Sequence, residues 1–116
     1  YHGDTSRMFL VGDASIQSKR LCEVTRQSMI EGIKVVRPGA TTGDIGAAIQ
    51  DYAEANKYSV VREYCGHGIG KKFHEAPQIL HYGKKNTGVK LEEGMKFSIK
   101  KMESNFGKND SWRCWK

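Results

Sequence analysis

Two histidines, His67 and His74, stand seven positions apart in the stretch Cys65-Gly66-His67-Gly68-Ile69-Gly70-Lys71-Lys72-Phe73-His74-Glu75-Ala76-Pro77. A neutral imidazole ligates divalent metals and titrates near neutrality, so such a pair could bind a metal and also handle protons or substrate. An uninterrupted strand would send residues seven apart to opposite faces, because side chains alternate with period two. Gly66, Gly68 and Gly70 are expected to remove that obstacle by allowing positive φ and close backbone approach, folding both rings toward one cavity. Taken singly, either histidine reads first as a hydrogen-bonded structural residue. A phosphate loop is excluded: only three residues separate Gly66 from Gly70, and Lys71 is followed by Lys72 rather than Ser or Thr.

The elements that must hold this stretch follow from the hydrophobic pattern. Met8-Phe9-Leu10-Val11 predicts a short buried strand whose upstream end presents Asp4. Ile16, Leu21, Val24, Met29, Ile33 and Val36 recur at helical intervals, and Arg37-Pro38-Gly39 ends that helix. Thr41-x-x-Asp44 is an approximate capping box opening a second helix, with Ile45, Ala48, Ile49, Tyr52 and Ala53 on one face and a stop near Asn56. Strands are predicted over 59–64, 78–82, 89–91 and 96–99, separated by Asn86-Thr87-Gly88 and Glu92-Glu93-Gly94. Two helices followed by antiparallel strands give an α+β order with no βαβ alternation. Cys22 is assigned to helix packing.

The stretch around His67 resembles the core of the type I (bacterial-type) methionine aminopeptidases, in which Tyr-Cys-Gly-His-Gly-Ile-Gly runs on to Phe-His-Glu and Pro. Tyr1-His2-Gly3-Asp4-Thr5 resembles that family's His-Gly-Asp-Thr strand, Ile45 to Gln50 its second helix, and Gly94-Met95-x-Phe97-x-Ile99 a later strand. The resemblance covers residues 1–102 and implies part of a pita-bread fold, two helices packed on a curved antiparallel sheet. It makes residues 1–116 a partial catalytic domain, the end of the first half and most of the second, with 103–116 a divergent tail. Because family members are longer, the chain is expected to be an internal fragment.

The same resemblance implies a dinuclear metallo-exopeptidase that removes the initiator methionine from nascent polypeptide N-termini, with two divalent ions of cobalt, manganese, iron or zinc. Asp4 and His67 match metal-ligand positions. Without the family, Asp4 would read as a turn aspartate following glycine. His74 matches a catalytic, substrate-binding histidine that stabilises charge developing on the carbonyl oxygen. Phe73, Cys65 and Met102 match the surroundings of the methionine side-chain pocket, although ordinary core packing explains the three as well. His2 and His81 receive no role.

One position departs from the pattern: Lys100 stands where the family has a metal-binding glutamate, and Lys101 where it has proline. An ammonium about 4 Å from a divalent ion is repelled by roughly 8 kcal/mol at an effective dielectric near 20, where a carboxylate is attracted by as much. The chain as it stands is therefore expected to be inactive, holding at most one weakly bound ion.

Charge supplies the alternative. Residues 1–65 carry eight basic and eight acidic side chains, and residues 66–116 carry eleven and five, so the net charge of +6 lies in the second half. A non-catalytic basic module binding RNA or the ribosome could keep the fold. Solvated loop lysines account for the same excess, since no aromatic stack accompanies them. Neither a DNA nor a membrane partner is indicated, ribosome proximity belongs to the nascent-chain reading, and a monomer is expected for the full-length family. Three cysteines at irregular spacing fit reduced thiols, and no signal pattern or long apolar run is present, so a cytoplasmic location is expected.

Overall fold

The computed structural model describes residues 1–99 and, as backbone, 103–105. Helix α1 spans Ile16–Lys34 and opens on Ser15, whose Oγ accepts the Ser18 N–H at 3.1 Å. Its inward stripe is Val24, Ser28 and Gly32, four apart on one face. These are small residues, and the reason is contact with the second helix: a Cβ at Gly32 would lie 2.7 Å from Ile49 Cδ1. The larger apolar residues of the predicted stripe are not all inward, and Ile16 and Ile33 are exposed. Cys22 is half-buried on this helix.

Helix α2 spans Thr42–Ala55, and the capping box forms in full. Thr41 Oγ1 accepts the Asp44 N–H at 3.2 Å, while Asp44 Oδ2 accepts the Thr41 N–H at 2.9 Å. The face carrying Ile45, Ile49 and Ala53 is fully buried and packs with Ala40, Ile79 and Leu91, flanked by the partly buried Val35, Val60, Phe97 and Ile99. Gly46 lies on this helix where a Cβ would run into the Tyr82 and Leu80 carbonyls. The helix thereby approaches the chain leaving the histidine stretch at backbone distance.

Strand β1 (Tyr58–Val60) pairs antiparallel with β4 (Glu103–Asn105), and β2 (Gly66–Gly68) with β3 (Glu75–Ile79). A bridge from Gly68 to Phe97 adds a third segment beside β2, and Thr41 bridges Lys90. The predicted strands over 89–91 and 96–99 thus contribute single bridges, β1 is shorter than 59–64, and β3 begins and ends three residues before the expected 78–82, sharing 78 and 79 with it. The α+β order with antiparallel pairing stands.

The largest departure concerns Met8 to Val11, which form no strand and are exposed, Phe9 at 73% and Val11 at 91%. A strand exists only if another lies alongside to take its backbone groups, and the described residues place none there. Asp4 nevertheless reaches the site, because the His2 N–H donates to the Gly70 carbonyl at 2.9 Å and ties this segment to the glycine-rich bend. Among the described residues, no helix is long and apolar enough to cross a membrane.

Candidate metal centre

The two histidines meet, though not through left-handed glycines. None of Gly66, Gly68 and Gly70 has positive φ. What they supply is space. A Cβ on Gly66 would collide with the Ser98 carbonyl, one on Gly68 with the Ala76 carbonyl, and one on Gly70 would sit 2.9 Å from Glu75 Oε2. Strands β2 and β3 close on each other because side chains are absent there. The rest of the juxtaposition comes from a bulge. His67 pairs with Gln78 and Gly68 with Glu75, so one step along β2 matches three along β3. That mismatch breaks the period-two alternation, and the His67 and His74 rings stand 4.2 Å apart between centroids.

His67 is 7% exposed and held by its backbone, with the Ser98 N–H donating to its carbonyl at 2.8 Å. Its Nδ1 lies 3.0 Å from the Gly68 carbonyl. A carbonyl only accepts, so the hydrogen belongs on Nδ1, and in the neutral ring Nε2 keeps a lone pair. That Nε2 is buried, makes no hydrogen bond among the described residues, and faces Asp4 Oδ2 at 3.4 Å. Two acceptors turned toward each other in a buried setting are unfavourable until a cation sits with them or Nε2 takes a proton. An imidazole nitrogen and a carboxylate oxygen are also the donor types that divalent ions such as zinc accept. The pair fits a metal, and it is incomplete. Among the described residues, no group of three or more His, Cys, Asp or Glu side chains could hold an ion.

Rings surround this pair. Phe73 stands 5.5 Å from His67 and edge-on to His74 at 4.6 Å, and His2, unassigned from sequence, stands edge-on to Phe73 at 5.9 Å. The signal for His2 was its position two residues before Asp4, on the same face of an extended segment. His74 and Phe73 are both exposed, Phe73 at 37%, so both are open to an incoming molecule. Cys65 is a half-buried free thiol just before β2 and lies outside this set of ring and carboxylate contacts. Lys100 and Met102 lie outside the described residues. His81 is fully buried.

The family model described as metallopeptidase family M24 matches residues 1–112. The methionine aminopeptidase of Rickettsia prowazekii is 53% identical over 97% of this chain and 46% of its own length, and that of Escherichia coli K12 is 52% identical over 95% and 41%. The chain therefore spans less than half the length of these curated relatives. The Rickettsia crystal structure superposes with a TM-score of 0.82 over 84% of this chain and 39% of that one, at 58% identity. The Thermotoga maritima methionine aminopeptidase gives 0.79 at 40% identity over 82% and 38%. The fold is part of the pita-bread architecture of these neighbours. A match along nearly the whole chain, together with a histidine and an aspartate brought face to face, places this protein in metallopeptidase family M24.

Proposed function

We propose that the chain forms part of the site of a methionine aminopeptidase, a metallo-exopeptidase that removes N-terminal methionine from nascent polypeptides in the cytoplasm. The observation that carries this is the buried Asp4 Oδ2 to His67 Nε2 approach, with the His74 ring beside it. Asp4 and His67 would hold a divalent ion, which when bound acts as a Lewis acid on the first peptide carbonyl and favours an activated water. His74 lies on the open side of that pair and can donate a hydrogen bond to the carbonyl oxygen as negative charge grows on it. Phe73 offers an apolar wall for the first side chain, with Cys65 and Met102 proposed as further soft surroundings suited to a thioether.

With only two ligand residues described and lysine at position 100, the chain alone should take up a single ion weakly. Titration with Co²⁺ should give one site, abolished in His67→Ala and weakened about tenfold or more in Asp4→Asn. Unchanged affinity in both variants would refute the assignment.

A further inference from the structure

Residues 70–74 form a bend that enters β3 at Glu75, and Lys71 to His74 are exposed within it. Such a loop wanders unless its polar groups are tied down. One of its ties is to a carboxylate. Glu75 Oε1 accepts the Lys72 N–H at 2.7 Å, and Oε2 lies against Gly70, where a Cβ would come within 2.9 Å. The same Lys72 peptide is held on its other side, because its carbonyl accepts the Gly70 N–H at 3.1 Å. The Gly70 carbonyl in turn accepts the His2 N–H at 2.9 Å. Glu75 itself is anchored by its ladder pairing with Gly68, next to His67. Phe73 and His74 are therefore the two residues between Lys72 and Glu75, clamped at both ends by one side chain. This chain of hydrogen bonds runs from the segment bearing Asp4 to the loop bearing His74.

We propose that Glu75 is a positioning residue: its carboxylate closes the 70–75 loop and so holds His74 against His67 at the distance the reaction needs. This deepens the peptidase reading and rests on it for its functional meaning. A charge-assisted bond of this length is stronger than a neutral one, and glycine at position 70 leaves room for the carboxylate, which a Cβ there would crowd at 2.9 Å. With Oε1 committed to the loop and Oε2 packed against Gly70, Glu75 acts through His74 rather than on the substrate.

The test uses the full 116-residue chain as Glu75→Ala and Glu75→Gln, followed by ¹⁵N and imidazole NMR with and without Co²⁺. Glu75→Ala should lower protection of the Lys72 amide about tenfold or more and move the His74 ring signals toward those of a free imidazole, with Co²⁺ affinity within about twofold of the parent. Glu75→Gln keeps an acceptor oxygen at the same reach and should restore most of both signals, which a general loss of fold would not do. If Glu75→Ala fails to fold, Glu75→Asp, one methylene short, should show the same losses in milder form. Lys72 protection and His74 signals unchanged in the Ala or Asp variant would overturn the proposal. Loss of Lys72 protection without movement of His74 would overturn it too. The amide readout needs no metal and no turnover, so failure of the parent chain to bind Co²⁺ would count against the peptidase reading while leaving the loop result decisive on its own terms.

Discussion

At His67 a single ring hydrogen decides what the site can do. The Gly68 carbonyl takes the Nδ1 hydrogen and turns the Nε2 lone pair onto Asp4. Gly68 thus matters twice, since its missing side chain also lets β3 close against it. Replacing it with alanine drives a methyl group into the Ala76 carbonyl, a backbone atom that cannot swing away. Gly70→Ala meets only the far end of the Glu75 side chain, at 2.9 Å, and no backbone atom. Chemical denaturation should show Gly68→Ala destabilised by about 1–3 kcal/mol and Gly70→Ala by clearly less. Equal losses would contradict the close-approach account. Sequence pointed to these glycines with half the right reason: close approach is what they provide, and the expected positive φ is absent. No residue type in the stretch encodes the bulge that faces His67 toward His74. It arises from register, a property of the paired strands together.

The helices were far more legible than the strands. Thr41 and Asp44 form a reciprocal cap that depends on local spacing alone, so the sequence displays it directly. Thr41→Ala should cost about 1 kcal/mol in thermal or denaturant unfolding. Asp44 binds on both sides, with Oδ1 accepting the Asn86 N–H at 2.8 Å and Oδ2 the Thr41 N–H. These backbone hydrogen bonds, that from Asn86 first, hold its pKa below the ordinary value of 3.8. A lowered folded pKa means stability that is full above the unfolded value and lost as pH falls through the folded one. Acid unfolding of Asp44→Asn should accordingly be less pH-dependent below about pH 4 than that of the parent. An identical pH profile would exclude the contribution. Strand limits at 89–91 and 96–99 were misjudged because apolar alternation marks a segment able to pair, whereas the ladder depends on what lies beside it. The inward stripe of α1 was partly misjudged too, because Gly32 is selected by the approach of Ile49 rather than by hydrophobicity.

Across the whole molecule, the core is Ala40, Ile45, Ile49, Ile79 and Leu91, while Met8 to Val11 remain exposed. The family and its partial fold could be recognised from spaced motifs. The geometry of the Asp4 and His67 pair could not, since the two are 63 residues apart and come together in the fold, where the His2 N–H ties the Asp4 segment to Gly70. Position 100 lies outside the described residues, and there the electrostatic argument stands on sequence alone. The most direct measurement grafts residues 1–102, with Lys100→Glu and Lys101→Pro, in place of the matching stretch of the Rickettsia methionine aminopeptidase. Metal-dependent release of methionine from a Met-Ala-Ser peptide is then followed with and without His67→Ala. The graft should turn over peptide, and His67→Ala should lower the rate about 100-fold or more along with metal affinity. Turnover within twofold of the graft when His67 is alanine would contradict the role assigned to the Asp4 and His67 pair.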